Sequence, residues 1–341
     1  MRWTVAAPFF SPDAATGGRW LDDFVPGDRH SFRKIPFARA APTSWHQRVS
    51  RGTPLGGWNA YWKTAGRSLQ DTDGVITLFP QLATTVGLRQ RLGGKRVPIL
   101  AWCFNLGYFP TDVRRSLARL ALKHVDRFVV HSTGETQLIA DYLDIPLSHV
   151  QFVPLQRAPI DVHDQENSDQ PFIVAMGSAN RDYRTLVEAA KLTSLPLTIV
   201  AAPRCVADLT LPPNVRFLTA LSPRECHVLV RQARFSIVPL ADVHAASGQV
   251  TVIEAQRLGR AVIATRSMGT VDYIDEGRTG LFVDQQDPKD LAEAMQRLWD
   301  DRRLRETIAA GGADFAGSRL SDEAAGRSLG QILDELADQR G

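Results

Sequence analysis

Apolar and polar positions alternate along this chain in two rhythms that take turns. Short β-branched, apolar runs read as buried strands, and between them lie segments whose apolar residues recur at helical spacing. In the first half the strand-like runs are 3–10, 31–36, 74–79, 98–104, 127–131 and 150–154, with helices expected near 59–69, 81–92, 114–123 and 134–142. The second half keeps the rhythm more cleanly, with strands at 172–176, 197–201, 215–219, 235–239, 261–265 and 280–283. Its helices are expected at 183–192, 223–231, 249–258, 288–300 and 303–315, and a last one at 322–338. Alternation of this sort predicts α/β domains, each a parallel sheet covered by helices on both faces. Residues 159–171, PIDVHDQENSDQP, are the most polar and turn-rich stretch. The expected organisation is a Rossmann-like domain over 1–160, a linker at 161–171, a second Rossmann-like domain over 172–318 and a C-terminal helix within 319–341.

The stretch 246–283 carries the most chemistry. A small turn, Ser247-Gly248-Gln249, directly precedes an amphipathic helix with one carboxylate, Glu254, among Val250, Val252, Ile253 and Leu258. A helix that starts on glycine offers unpaired N–H groups and the positive end of its dipole, a natural seat for a diphosphate. Glu254 lies about one and a half turns in, where it reaches the hydroxyls of a sugar attached to that diphosphate. An idle carboxylate among apolar neighbours is costly; the plain alternative is a surface residue of an amphipathic helix. His244, just before the turn, either meets phosphate or sugar or is a capping or solvent-exposed histidine. The loop Met176-Gly177-Ser178-Ala179-Asn180-Arg181-Asp182 joins a strand to a helix. The planar fork of Arg181 suits a phosphate, unless it simply pairs with Asp182.

The order of these features resembles the donor-binding segment of GT-B glycosyltransferases, in particular the large retaining family 4. Glu254, Ala255, Gly259, Arg260, Val262 and Ile263 follow the family's pattern, and Gly269 to Asp272 stands where the family has a glycine turn and an acidic residue. The family's first Glu falls at 246, which is alanine here, and its histidine near 104–105 is replaced by Phe104 and Asn105. The resemblance is good over about 172–299 and loose before that. It implies two Rossmann-like domains facing each other across a cleft, with the last helix crossing back to the first. It further implies a donor site of Gly177, Ser178, Arg181, His244, Ser247, Gly248, Gln249, Val250 and Glu254, the residues 247–249 acting through backbone N–H groups. Arg181, which falls at the family's lysine, Glu254 and Asn105 are the catalytic candidates. Gly17 and Gly18, within Thr16-Gly17-Gly18-Arg19, and His131 are acceptor-side candidates, with a plain turn and a buried, satisfied histidine as their alternatives.

The implied activity is metal-independent transfer of a hexosyl group from a UDP- or GDP-sugar to an acceptor, with retention. The nucleotide-sugar is a co-substrate, and no resident cofactor is expected. No general base is obvious, which suits a front-face mechanism in which the leaving phosphate takes the acceptor proton. The alternative is a catalytically silent GT-B module that binds a nucleotide-sugar, a glycan or a protein partner. A phosphorylase would need a cofactor lysine that the donor segment lacks, and no Gly-x-Gly-x-x-Gly follows the first strand as a nicotinamide enzyme would require.

Composition narrows the class. A chain of 341 residues fits two domains, and 44% hydrophobic with 23% charged residues is ordinary for a soluble globular protein. No run approaches the roughly 20 apolar residues of a membrane span, and the N-terminus reads as a first strand rather than a signal peptide. Cys103, Cys205 and Cys226 lack metal or redox spacing and read as free thiols in a reducing cytoplasm. Asp71-Thr72-Asp73 has the look of a metal-binding acidic pair, but it precedes a strand and reads as a solvated loop; no zinc spacing is present, and no metal is expected.

The net charge of +3 hides an asymmetry: residues 1–120 hold seventeen Lys or Arg against seven Asp or Glu, a net of +10. Such a field attracts an anionic membrane leaflet, a lipid-linked pyrophosphate or nucleic acid, of which nucleic acid is not expected because no binding signature accompanies it. A solvated basic domain without any partner is the equal alternative. The expected acceptor is a lipid-linked saccharide of polysaccharide or glycolipid assembly. The expected location is cytoplasmic, or peripheral on the inner face of the cell membrane. Trp58, Tyr61 and Trp62, beside Lys63 and Arg67, suit a membrane interface or sugar stacking, with core packing as an equal contender.

Overall fold

The computed structural model describes residues 1–10, 20–37, 55–93 and 96–339. These fall into two compact units, one of 1–37, 55–154 and 322–339 and the other of 155–321.

The first unit runs β1 (Arg2–Ala6), β2 (Ser31–Ile35), α1 (Leu55–Ser68), β3 (Gly74–Leu78), α2 (Pro80–Gly93), β4 (Ile99–Trp102), α3 (Val113–Leu122), β5 (Arg127–Val130), α4 (Thr133–Leu143) and β6 (Val150–Phe152). Its sheet is parallel, in the order β2-β1-β3-β4-β5-β6. The strands are apolar on both faces because each face is covered. Trp3, Ile76, Leu100 and Val129 point to one core, while Val75, Ile99, Phe128 and Val130 point to the other, beneath α2 and α4. The period of two along each strand sets this division.

The second unit runs β7 (Ile173–Met176), α5 (Tyr183–Thr193), β8 (Leu197–Val200), β9 (Val215–Leu218), α6 (Pro223–Gln232), β10 (Phe235–Val238), α7 (Gln249–Arg257), β11 (Ala261–Thr265), β12 (Leu281–Val283), α8 (Pro288–Asp300) and α9 (Arg302–Arg319). Its parallel sheet has the order β12-β11-β10-β7-β8-β9. The chain builds outward from β7 through β8 to β9, then returns to build the other way from β10. Neighbouring β7 and β10 therefore send their following loops to opposite sides, opening a crevice at their carboxyl ends.

The final helix, α10 (Asp322–Asp338), belongs to the first unit. Ala325, Leu329, Ile332, Leu333 and Leu336 complete the core around Trp3, Ile76 and Trp102. Arg29 to Asp334 at 2.8 Å and Arg127 to Glu335 at 3.2 Å add ion pairs along its exposed edge.

One local reading changes in three dimensions, and two others gain named partners. The segment 161–171, expected as a linker, is fastened to the second unit together with residues 155–160. Arg157 N–H donates to Leu320 O, Arg231 Nε to Asp164 O and Arg234 Nε to Glu166 Oε1, and Val162 is buried. Part of its polarity reflects fixed partners, since Asp164 and Glu166 accept from Gln232 and Arg234, while Asp161, His163 and Gln165 stay exposed. On α1, Tyr61 packs against both Trp58 and Phe37, and Arg89 lies over the Trp62 ring, so the packing reading holds for these aromatics. Asp73, at the amino end of β3, accepts the Arg2 N–H at 2.8 Å and ties β1 to its neighbour. No helix among the described residues is long and apolar enough to cross a membrane.

Candidate functional site

Two loops leave the switch point of the second sheet. The first, 177–182, begins at Gly177 with φ +117°, a conformation that disfavours any side chain. A Cβ there would also lie 2.7 Å from the Arg181 guanidinium, which folds back over this residue. Arg181 donates from Nε to Met176 O, from Nη1 to Ala179 O and from Nη2 to Thr251 Oγ1, at 2.8–2.9 Å. It does not pair with Asp182, whose carboxylate instead caps α5 by accepting Thr185 N–H at 3.0 Å. Burial draws the Arg181 pKa down, and no carboxylate among the described residues offsets this. Three of its five N–H groups are engaged, which leaves a held cation with hydrogen-bonding capacity to spare.

The second loop, 239–248, is stapled to the first by Asn180. Its amide donates to Asp242 O at 2.8 Å and Ser247 Oγ at 2.7 Å, and its carbonyl oxygen accepts Asp242 N–H at 2.8 Å. Gly248, at φ +92°, then starts α7 with no side-chain cap. The amides of the first turn are therefore open donors at the positive end of the helix. The contrast with α5, stoppered by its own Asp182, shows which helix is ready for an anion. One sequence expectation needs correction. Ser247 N–H already donates to Ala245 O at 2.8 Å, because the turn closes on itself there, so it is not among the open amides. Ser178 is likewise occupied in part, its Oγ accepting Ala202 N–H at 2.8 Å.

A third segment braces this turn. Met268 N–H donates to Val243 O at 2.8 Å, and a Cβ on Gly269 would sit 2.1 Å from Ser247 O and 2.4 Å from Ser247 N. Only glycine permits so close an approach of two backbones. Gly269→Ala is expected to lower stability by about 1–3 kcal/mol, the usual cost of overpacking, and to weaken anion binding at α7, checked by denaturant titration and calorimetry.

Glu254 projects from α7 into a cavity of about 530 Å³ lined by residues of 157–162, Pro223, Arg224 and His227. Its Oε1 accepts from Arg157 Nη2 at 2.7 Å and lies 3.7 Å from His227 Nε2. An adjoining recess is lined by Gly177, Val200, Pro223, Cys226 and Thr251. The Cys226 thiol is pushed up to about 11, by burial first and then by the charge of Glu254, so it stays protonated and lines the recess as a small apolar group. Arg157, His227 and Thr251 were not read from the sequence as site residues. Arg157 sits beside a turn-rich stretch that looks like a connection, and His227 lies in an amphipathic helix where nothing marks it.

The remaining candidates are distributed. Gln249 is buried, Val250 is half-buried in the first turn of α7, and His244 is exposed. Its backbone N–H donates to Asp242 Oδ1 at 2.9 Å. Asn105 is exposed in the first unit, just past β4. Gly17 and Gly18 lie outside the described residues. His131, at the end of β5, is buried: Nδ1–H donates to Val153 O at 2.7 Å, which leaves Nε2 to accept from the Cys103 thiol at 3.0 Å.

Burial lowers the His131 pKa to about 4 from 6.5. Between those values the unfolded chain binds the proton that the folded chain refuses, so this histidine contributes full stability above pH 6.5 and loses it as pH falls toward 4. The loss is about 3 kcal/mol, at roughly 1.4 kcal/mol per unit. In urea unfolding, His131→Gln should flatten the stability profile across this window.

The chain is similar to known proteins in its fold and in part of its sequence. Residues 170–301 match the model for "Glycosyl transferases group 1". A D-inositol 3-phosphate glycosyltransferase from Corynebacterium jeikeium is 31% identical over 224 residues, 62% of this chain and 50% of that protein. One from Corynebacterium kroppenstedtii is 37% identical over 128 residues, 38% of this chain and 28% of that protein. The chain thus spans half or less of the length of these curated relatives. Among solved structures, a sucrose-phosphate synthase from Thermosynechococcus elongatus is similar with a TM-score of 0.73 at 17% identity, covering 99% of both chains. Anabaena HepE, in complex with UDP and glucose, is similar with a TM-score of 0.70 at 14% identity, also over 99% of both. The chain is thereby a GT-B-fold protein carrying a glycosyl transferases group 1 domain at residues 170–301.

Proposed function

We propose that this chain is a glycosyltransferase whose second unit binds a nucleoside-diphosphate-sugar and transfers the sugar with retention, as family 4 enzymes do. The observation that carries the reading is the open amino end of α7 beside Arg181, a held guanidinium with no carboxylate partner among the described residues. The diphosphate sits between them. As the sugar–phosphate bond breaks, negative charge grows on that phosphate, and fixed donors already aimed at it stabilise the transition state more than the ground state. These groups supply the positive charge that a metal gives in other transferases, so the reading needs no resident cofactor. Glu254 accepts hydrogen bonds from hydroxyls of the nucleotide-sugar, and the leaving phosphate takes the acceptor proton.

The acceptor is a saccharide, proposed to be lipid-linked and presented at an anionic surface that the basic first half of the chain meets. The relatives named for D-inositol 3-phosphate suggest a phosphorylated cyclitol as a second anionic acceptor to assay. One observation favours a silent binding module instead: position 246, a carboxylate in the resembled family, is alanine. Incubation with UDP-, GDP- and ADP-sugars, following nucleoside diphosphate release, separates the two. Slow hydrolysis supports the transferase; saturable binding with no release under any acceptor supports the silent module.

A further inference from the structure

Much of the basic excess of the first half lies on and around α2 and α3, which pack together. Between residues 80 and 126 the chain carries eight Lys or Arg against two Asp. A surface helix ordinarily turns its polar residues outward. Helix α3 departs from this: Val113, Leu117 and Leu120, at helical spacing, are 69%, 57% and 42% exposed, beside exposed Ser116 and an exposed Arg114 that pairs with Asp112. Its inner face is accounted for, since Ala121 and Leu122 are buried while Arg115 and Arg119 donate to Tyr142 O and Asp141 O of α4. At the end of α2, Leu92 is 76% exposed between exposed Arg91 and Arg96, and Lys123 closes the far end of α3.

Apolar side chains outward among cations are the composition of an interfacial helix, which seats its apolar face at the headgroup–acyl boundary and its cations among lipid phosphates. A protein partner would need matching acidic groups; anionic lipid supplies that charge without shape complementarity. We propose that α3, with the end of α2, docks this unit on an anionic phospholipid bilayer, with Val113, Leu117 and Leu120 inserted and Arg91, Arg96 and Lys123 among the phosphates. The inference rests on the proposed meeting of the first unit with an anionic surface and not on the donor site, so nucleotide titration and vesicle binding fail separately.

The test is sedimentation of the full chain with vesicles of phosphatidylcholine alone or mixed with phosphatidylglycerol. Wild type should bind the mixed vesicles, release in high salt and leave phosphatidylcholine vesicles in the supernatant. Leu117→Ser with Leu120→Ser, and independently Arg91→Glu with Lys123→Glu, should each lower partitioning roughly tenfold or more, with unchanged circular dichroism and nucleotide affinity. Should the leucine pair unfold the protein, the charge-reversal pair decides. The proposal is overturned if wild type ignores the mixed vesicles or binds both kinds equally. It is overturned too if the folded leucine variant, or in its absence the charge variant, binds like wild type. Light scattering that shows a wild-type dimer made monomeric by the leucine pair would assign the face to a second copy of the chain instead.

Discussion

At the proposed donor site, Arg181→Ala should lower donor turnover by about 100- to 1000-fold, the range seen when one preorganised donor to a developing oxyanion is removed. The loss comes by two routes. The guanidinium itself is gone from the proposed phosphate site, and so are the three hydrogen bonds that tie Met176 and Ala179 to Thr251 of α7. Arg181→Lys distinguishes these routes. Lysine restores a cation but cannot reproduce the fork that joins the 177–182 loop to α7, so it should recover only a small part of the rate. Steady-state kinetics with the preferred nucleotide-sugar, paired with thermal melts, check both. A variant with lost stability and full activity would make Arg181 a structural clamp only.

Glu254→Gln is expected to raise the donor KM by about 10- to 100-fold with a smaller change in kcat. A hydrogen bond to a charged acceptor contributes about 1.5–3 kcal/mol, and each 1.4 kcal/mol is tenfold. The variant keeps the shape of the side chain while releasing Arg157, held at 2.7 Å, and His227, 3.7 Å away. Arg157→Ala supplies the control. If Arg157 only positions the carboxylate, its removal should raise KM less than Glu254→Gln does, and the double variant should be no worse than Glu254→Gln alone. Equal and additive losses would instead place Arg157 on the ligand.

Much of the architecture was legible because strands buried on both faces and amphipathic helices leave different periods in a sequence. The runs at 74–79 and 261–265, for example, enclose the strands Gly74–Leu78 and Ala261–Thr265. The segment around Glu254 was legible for a related reason: a glycine turn, a helix and a lone carboxylate lie consecutively, so local geometry joins them. What stayed hidden joins residues far apart in the chain. Arg157 meets Glu254 across 97 positions, and Arg181 meets Thr251 across 70. Nothing in composition distinguishes a connection from the strap that 155–171 forms, since both are polar and rich in turns. The closed amide of Ser247 depended on the path of one turn, which a single glycine signal does not specify.

The central claim is that a diphosphate is held by the first-turn amides of α7 and by Arg181. The most direct measurement is calorimetry of wild type and Arg181→Ala with the best-binding nucleoside diphosphate of UDP, GDP and ADP, alongside its parent nucleoside. The account predicts that the diphosphate loses about 100-fold or more in affinity while the nucleoside binds both proteins alike. Equal weakening of the two ligands, or no weakening of the diphosphate, would contradict it.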